Sequence, residues 1–267
     1  MSRHPSLFVS HGSPMLAIED SPAHRFLKEY GRELGRPAAI LVVSAHWETE
    51  RPTVATSARP GTVHDFSGFP PALYELTYPA PGAPELAGHA AALLEAAGFP
   101  ADVDDTRGLD HGAWVPLLLM YPEADVPVTQ LSLQTHLGPA HHFRIGEALR
   151  PLREAGVLVL GSGSLTHNLG EFRQHRGDRA PPPWVVEFAD WIADKIACGS
   201  IDDLLDYRRR TPHAERNHPT DEHLLPLFFA LGAAGPGAYG ARVHTSNAYG
   251  VLAMDAYAFD ELARQAG

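Results

Sequence analysis

The continuous apolar run Ala38–Ala45 constrains the fold more than any other stretch of the sequence. An unbroken run, rather than an alternating one, is typical of a strand that is covered on both faces of a sheet. A second strand-like run, Leu7–Ser10, precedes it, and Ser21–Leu34 between them has helical spacing and is followed by Gly35. This order predicts a βαβ unit. We therefore expect an α/β fold with a central, mostly parallel or mixed β-sheet and helices on both faces.

The rest of the chain continues this architecture as a single domain, residues 1–267, because no repeat or shift of composition marks a boundary. Val126–Leu133 and Val157–Leu160 predict two more buried strands. The C-terminal part predicts a strand near Asn247–Leu252 and a last short helix over Tyr257–Arg264. The other predicted helices are Pro84–Ala97, Gly112–Met120, Ala140–Ala155, Trp184–Ala197 and Ile201–Tyr207.

Charge and composition exclude several classes of protein. Lysine and arginine total 21 and aspartate and glutamate total 32, which gives a formal net charge of −11 with neutral histidine. Nucleic acids and anionic membranes attract clustered basic residues, so neither is expected as a partner. The longest apolar stretches fall far short of the roughly 20 residues that span a bilayer, and no signal peptide is recognisable. The single cysteine, Cys198, excludes an internal disulfide and is expected to be a buried small residue. We expect a cytoplasmic protein.

Histidine is frequent, with 16 in the chain. Two histidines stand directly after predicted strands: His11 follows the first strand and His46 follows the second. Ligands of open α/β sheets bind beyond the carboxyl ends of the strands, so we expect both imidazoles at one edge of the sheet. One strand-end histidine is more often a hydrogen-bonding loop residue, but a matched pair favours a metal site, since histidine is the commonest metal ligand.

Other histidines occupy similar positions. His111 precedes a predicted helix, His167 follows a strand, and His223 opens an apolar helical segment. Each alone is more often a capping or core residue. His64 lies in a loop whose aromatic residues could wall a substrate pocket or simply pack at the surface. The glycine-rich stretch 161–164 lacks both the Gly-Lys-Ser/Thr ending of a phosphate loop and the Gly-x-Ser-x-Gly of a nucleophile elbow.

Motifs around these histidines follow one another over nearly the whole chain. They are His11-Gly-Ser-Pro-Met15, Ser44-Ala-His46-Trp47, His64-Asp-Phe-Ser-Gly-Phe-Pro70, Tyr78-Pro-Ala-Pro-Gly82, Asp110-His-Gly-Ala-Trp114, His167-Asn-Leu169 and Thr220-Asp-Glu-His223-Leu-Leu-Pro226. This set resembles the DOPA 4,5-dioxygenase family, which belongs to the class III extradiol ring-cleaving dioxygenases. One departure is Ala113, where relatives often have a small hydroxyl residue.

The resemblance implies a non-haem metal-dependent enzyme that cleaves the aromatic ring of a DOPA-like or other substituted catechol with O₂, giving a muconic semialdehyde-type product. It implies metal ligands at His11, His46 and His223, with Glu222 as an open alternative to His223. His111 and His167 are implied as acid–base residues. Fe(II) suits such a site, and three imidazoles also suit Zn(II). The proposed walls of the substrate pocket are His64, Phe66 and Trp114.

Two other functions stay open at this point. The same three histidines could hold the zinc ion of a hydrolase, and a non-enzymatic binding protein could reuse the fold. We expect a monomer or a small homo-oligomer. Arg242 and Arg173 are candidates to meet a carboxylate of the substrate, although either could be a surface residue.

Overall fold

A computed structural model describes residues 3–175 and 180–261. Its centre is an eight-stranded sheet with the strand order β4-β3-β5-β2-β6-β1-β10-β7, and β8 and β9 form a separate hairpin. The strands are β1 Ser6–Ser10, β2 Ala39–Glu48, β3 Thr53–Ala55, β4 Asp102–Asp104, β5 Val128–Leu133, β6 Val157–Gly163, β7 Ala238–His244, β8 Asn247–Ala248, β9 Leu252–Ala253 and β10 Ala256–Glu261.

Helices cover both faces of this sheet. They are α1 Pro22–Leu34, α2 Pro71–Glu75, α3 Pro84–Ala96, α4 His111–Met120, α5 Gly138–Leu149, α6 Pro151–Glu154, α7 Leu169–His175, α8 Pro183–Ala197, α9 Ile201–Leu205, α10 Tyr207–Arg210, α11 Ala214–Asn217 and α12 Leu225–Ala234. Short 3-10 helices occupy Pro14–Ala17 and Thr135–Leu137. No helix within the described ranges is long and apolar enough to cross a membrane.

Successive residues of β2 point to opposite faces of the sheet, and each face has its own hydrophobic core. Leu41 and Val43 pack with residues of α3, α5, α8 and α12. Ile40 and Val42 pack with residues of α1 and α4. Burial on both faces explains why the strand reads as a continuous apolar run. The predicted α/β fold with helices on both faces is confirmed.

The central strands β5, β2, β6 and β1 are parallel, and β6 lies between β1 and β2. Leu160 of β6 pairs with Leu7 of β1 on one side and with Val42 of β2 on the other. The strands carrying His11 and His46 therefore end at one edge of the sheet, separated by a single strand. His46 itself lies inside β2 rather than after it.

The predicted helix over Tyr257–Arg264 is wrong, because Ala256–Glu261 forms a strand that pairs antiparallel with β1 and β7. Tyr257 lies in one core and Ala256 in the other, which is the two-residue period of a strand. The strand also satisfies the backbone hydrogen bonds along the edge of β1. Residues 262–264 of that prediction lie outside the described part of the chain.

Three smaller expectations also differ from the structure. The predicted helix Ala140–Ala155 is divided into α5 and α6 at Pro151, whose nitrogen cannot donate a hydrogen bond to continue the first helix. The segment Ile201–Tyr207 is likewise divided between α9 and α10. Cys198 is exposed rather than buried, because it follows the last residue of α8 and does not lie on its buried face.

Candidate metal centre

Five histidines gather at the carboxyl edge of the parallel strands. His11 follows β1, His46 lies near the end of β2 and His111 opens α4. The ring centroids of His11 and His46 are 4.9 Å apart, and those of His46 and His111 are 4.0 Å apart. His167 and His223 stack with centroids 3.5 Å apart and an interplanar angle of 10°. The fold thus brings together five of the six histidines that the family motifs contain, all except His64.

Three of them can offer nitrogen atoms to one ion. One ligand atom from each of His11, His46 and His223 lies within 4.8 Å of the others. The Nε2 atoms of His11 and His46 are 3.0 Å apart. Two metal–nitrogen bonds of about 2.1 Å that meet at a right angle place their nitrogens about 3.0 Å apart. The spacing therefore fits a divalent metal ion bound between these imidazoles.

A buried serine selects the tautomer of His11. Ser162 Oγ donates its hydrogen to the backbone carbonyl of Gly112. The same oxygen lies 3.0 Å from His11 Nδ1, and because its own hydrogen is already used it accepts the Nδ1–H. His11 Nε2 therefore keeps its lone pair and faces His46. The His46 Nε2 atom lies 3.0 Å away, so a cation bound between the two nitrogens would accept the lone pair of His11 Nε2.

A carboxylate orients His223, and a second carboxylate lies near His46. Glu222 Oε1 lies 2.9 Å from His223 Nδ1 and accepts its hydrogen, which leaves Nε2 of His223 as the free nitrogen. Asp65 Oδ2 lies 3.6 Å from His46 Nδ1. A carboxylate behind a ligating imidazole fixes the ring and raises its basicity toward the metal. Glu222, an open alternative to His223 in the sequence, is thus a hydrogen-bond acceptor of that histidine in the structure.

Burial keeps these imidazoles neutral. Desolvation lowers the pKa of His11 and of His223 well below the usual value, and the nearby histidines lower both further. Desolvation lowers the pKa of His46 to about 4, with a further contribution from His111, against the opposing effect of Asp110 and Asp65. A neutral imidazole is the form that binds metal ions. The cluster is therefore ready to bind a cation at neutral pH.

His111 and His167 flank the three candidate ligands. Asp65 Oδ1 accepts the backbone N–H of His111 at 2.9 Å and lies 3.0 Å from its Nδ1. Burial raises the pKa of Asp65, but the hydrogen bonds and charge of His111 outweigh this and hold it at about 2. Desolvation lowers the pKa of His167 to about 4. Both imidazoles line the cavity described below, so each can exchange a proton with a bound molecule.

Small residues of β6 let the candidate ligands approach one another. A Cβ on Gly163 would lie 2.1 Å from the carbonyl oxygen of His223. The Gly163 carbonyl also accepts the backbone N–H of His11 at 2.8 Å, and Ser164 N–H donates to the carbonyl of His223 at 2.8 Å. The stretch 161–164 therefore joins the backbones of two candidate ligands, a role that its sequence did not indicate.

A buried carboxylate supports His46 from behind. Asp110 is fully buried and accepts hydrogen bonds from Ser44 Oγ at 2.6 Å, Gln130 Nε2 at 2.9 Å and Arg107 Nη2 at 2.7 Å. Arg107 also donates to the carbonyl of His46 at 3.2 Å. Asp110 further caps α4, since its carboxylate accepts the N–H of Ala113. This network holds β2 and the start of α4 together.

Four of the five histidines lie on the wall of a cavity of about 600 Å³. His46, His111, His167 and His223 line it together with Phe66. His64 and Trp114, the other proposed wall residues, do not line it. They pack behind Phe66, where His64 is hydrogen-bonded to the Leu76 carbonyl and Trp114 Nε1 donates to the Val63 carbonyl. Met15 and Phe69, which stand in the family motifs, also line the cavity. Wall residues that the sequence did not single out are Glu19, Phe172, Tyr249 and Leu252.

The two arginine candidates lie elsewhere. Arg242 forms ion pairs with Asp190 at 3.2 Å and with the buried Asp255 at 2.6 Å, and all three line a second cavity. Arg173 is an exposed residue of α7 that does not line the histidine cavity. Among the described residues, no lysine or arginine lines that cavity.

The chain is similar to known proteins over nearly its whole length. The family model of the catalytic LigB subunit of aromatic ring-opening dioxygenase matches residues 5–259. The chain belongs to this LigB family. A 4,5-DOPA dioxygenase extradiol of Beta vulgaris is 44% identical over 264 residues, which cover 95% of this chain and 96% of that protein. The protein of that name from Escherichia coli K12 is 41% identical, with 87% and 86% covered.

A solved structure agrees with the LigB assignment. The crystal structure of an uncharacterized protein from Escherichia coli K12 superposes with a TM-score of 0.82 and 35% identity, covering 96% of this chain and 99% of that one. The family resemblance and the predicted class, an extradiol ring-opening dioxygenase and hence an oxidoreductase, are confirmed. Membership of the LigB family also implies a metal cofactor, and the histidine cluster supplies a candidate site for it.

Proposed function

We propose that this LigB-family enzyme opens the ring of a side-chain-substituted catechol beside its diol, using Fe(II) held by His11, His46 and His223. The observation that carries the proposal is the convergence of three neutral imidazoles, two of them with Nε2 atoms 3.0 Å apart, beside a cavity of about 600 Å³. A cavity of this volume suits a small aromatic molecule. Bound Fe(II) would hold the catechol oxygens and O₂ side by side and let electron density pass between them.

The proton steps are assigned to His111 and His167. A catechol must lose protons to bind a metal through both oxygens, and a neutral imidazole on the cavity wall accepts such a proton. Burial lowers the pKa of His167 to about 4, so its imidazole is neutral at physiological pH. It is then a weak base, and it would take up the hydroxyl proton only because the bound metal acidifies the catechol. Asp65 beside Nδ1 of His111 leaves Nε2 as the nitrogen available to the bound substrate or O₂. The reverse assignment of the two histidines is the alternative.

The cavity walls offer apolar surface to the reacting ring. Phe66 and Phe69 lie on one side with ring centroids 5.4 Å apart, and Phe172 and Leu252 line the cavity as well. Apolar walls of this kind orient an aromatic ring and strengthen the electrostatic interactions inside. Relatives named 4,5-DOPA dioxygenase extradiol make DOPA-like catechols the first substrates to test. We expect the enzyme to act in the cytoplasm, as a monomer or small homo-oligomer, without a nucleic-acid or membrane partner.

The test is anaerobic loading with Fe(II), followed by addition of DOPA or another substituted catechol and then O₂. The proposal predicts stoichiometric O₂ uptake and a yellow semialdehyde product, and none with Zn(II), which does not change its oxidation state. His223→Ala should lose both iron and activity. His89→Ala, on the exposed face of α3, is the matched control and should keep both. Absence of O₂ uptake with every catechol would reject the proposal.

A further inference from the structure

The strand that carries His46 loses its regular pairing around this residue. β2 pairs with β5 at Val43 and again at Glu48, so the four residues between them lie opposite the single residue Ser132 of β5. On its other side, β2 pairs with β6 no further than Ser44. In the described part of the sheet, the backbone of His46 therefore has no partner residue in either neighbouring strand. Interruptions of this kind re-aim side chains and are frequent beside active sites.

Two side chains take the place of the missing strand partners. Ser44 Oγ accepts the backbone N–H of His46 at 3.2 Å, and Arg107 Nη2 donates to the backbone carbonyl of His46 at 3.2 Å. A backbone polar group that is shielded from water needs a partner, and where the strand ladder supplies none, a side chain must do so. The position of His46 therefore depends on Ser44 and Arg107.

Asp110 joins these two side chains. Its Oδ1 atom accepts the hydrogen of Ser44 Oγ at 2.6 Å, and its Oδ2 atom accepts a hydrogen of Arg107 Nη2 at 2.7 Å. Each oxygen of the carboxylate is thus linked through one side chain to one backbone group of His46. Because Arg107 and Asp110 carry opposite charges, the hydrogen bond between them is strong. Loss of the carboxylate would release both links at once.

The carboxylate itself is held from several sides. Asp110 is fully buried, and it also accepts hydrogen bonds from Gln130 Nε2 at 2.9 Å and from the backbone N–H of Ala113 at 3.2 Å. A carboxylate has about four lone pairs, so these two donors together with Ser44 and Arg107 use its whole capacity. A buried polar group that is satisfied in this way is rigid. Asp110 is therefore a fixed point from which the end of β2 is positioned.

The same carboxylate places His111. Asp110 is the N-cap of α4, and His111 is the first residue of that helix. The rings of His46 and His111 have their centroids 4.0 Å apart. One buried residue therefore sets the position of a candidate metal ligand relative to that of a proposed acid–base residue.

We propose that Asp110 is a positioning residue of the metal centre, which through Ser44 and Arg107 holds His46 where its Nε2 atom meets the metal ion beside His11. This role rests on the proposed function, in which His46 is a metal ligand. The competing role is confined to stability, with Asp110 as a helix cap and a buried ion-pair partner whose loss leaves metal binding unchanged.

The experiment measures Zn(II) affinity by competition with a chromophoric chelator, without catechol or O₂. Asp110→Asn should lower the affinity about 100-fold, because loss of a supporting hydrogen bond behind a ligand costs about 10–100-fold and both links to His46 are affected. Ser44→Ala and Arg107→Gln, which each break one link, should lower it about tenfold. The visible spectrum of the Co(II)-loaded protein, which depends on the arrangement of the ligands, should change in Asp110→Asn.

A double variant tests whether Arg107 acts through Asp110. In the Asp110→Asn background, Arg107→Gln should cost much less than the tenfold expected in wild type, because the carboxylate that holds the arginine is already lost. Equal costs in the two backgrounds would show that Arg107 acts without Asp110 and would overturn the proposal. If Asp110→Asn does not fold, Ser44→Ala and Arg107→Gln still test the two links separately.

Asp255→Asn is the matched control. Asp255 is also a buried carboxylate, 1% exposed, and it pairs with an arginine, since Arg242 Nη2 lies 2.6 Å from its Oδ2. Its side chain does not line the histidine cavity. The control should lower stability and keep the Zn(II) affinity and the Co(II) spectrum of wild type. Urea unfolding of each metal-free variant measures the loss of stability and shows that the variant is folded.

Wild-type Zn(II) affinity together with an unchanged Co(II) spectrum in Asp110→Asn would overturn the positioning role, whether or not the enzyme opens a catechol ring. A loss of Zn(II) affinity that Asp255→Asn does not share would support it. If the Fe(II)-loaded wild type then consumed no O₂ with any catechol, the proposed ring cleavage would be rejected and the positioning role would stand.

Discussion

The substitution Ser162→Ala tests how the fold prepares His11 for a metal. Ser162 is fully buried, and its hydroxyl links two groups: it accepts the hydrogen of His11 Nδ1 and donates to the carbonyl of Gly112. Alanine removes both hydrogen bonds and leaves the remaining strand atoms in place. The Nδ1–H of His11 then has no acceptor, and the tautomer that presents Nε2 to the metal is no longer favoured.

Ser162→Ala should change both the stability of the metal-free protein and its affinity for a metal ion. Each buried polar group that loses its partner costs about 1–3 kcal/mol, and two groups lose theirs, so the free energy of unfolding of the metal-free protein should fall by about 2–6 kcal/mol. Loss of a hydrogen bond behind a ligating imidazole costs about 10–100-fold in metal affinity. Urea unfolding of the metal-free protein measures the first effect. Competition with a chromophoric chelator for Zn(II) measures the second.

Ser6→Ala is the matched control, because Ser6 is a buried serine at the opposite end of β1 whose hydroxyl donates to the Ala230 carbonyl at 2.7 Å. It should lower stability while the protein keeps its affinity for Zn(II). If Ser162→Ala also keeps wild-type affinity and loses only stability, the serine does not set the tautomer of His11, and the reasoning fails.

Three further outcomes are expected. Glu222→Gln should weaken Zn(II) binding about tenfold, because a neutral amide is a poorer acceptor for His223 Nδ1–H at the present 2.9 Å; unchanged affinity in the chelator assay would contradict this. His167→Ala should lower kcat by about 10²–10⁴-fold while bound iron per chain stays constant, and loss of iron would make it a ligand instead. Burial lowers the pKa of His142 and of His218 to about 4, so the unfolded state binds more protons between pH 4 and 6.5. Stability should therefore fall as pH drops through that window, by about 1.4 kcal/mol per pH unit for each imidazole, and be flat above it; a urea midpoint that does not change over the window would refute this.

Strongly patterned segments of the sequence predicted their own structure. The continuous run Ala38–Ala45 predicted a strand buried on both faces, and the helical spacing of Ser21–Leu34 predicted α1, since hydrophobic period and length are local properties. The segment after Ala256 was wrongly predicted as a helix, because the period of a short apolar run does not distinguish a helix from a strand. The segment forms a strand because it pairs with the edge of β1 that no other strand occupies.

Part of the candidate site was likewise predictable from the sequence, and part was visible only in the structure. The strand-end positions of His11 and His46 already pointed to one edge of a parallel sheet, because the topology of such a sheet brings strand ends together. The sequence did not reveal Asp65 as the partner of His111 or Ser162 as the partner of His11, since those contacts depend on loops and on a strand distant in the chain.

What the sequence alone determined is thus the fold class and the histidine motifs, which short-range periodicity and residue type encode. The tertiary structure decided which nitrogen of each imidazole faces its neighbours and which residues form the cavity wall. It placed His64 and Trp114 behind Phe66, and it brought Glu19 to Tyr249 across most of the chain. Hydrogen bonds and contacts of this kind depend on positions in space, and spacing along the chain does not fix them.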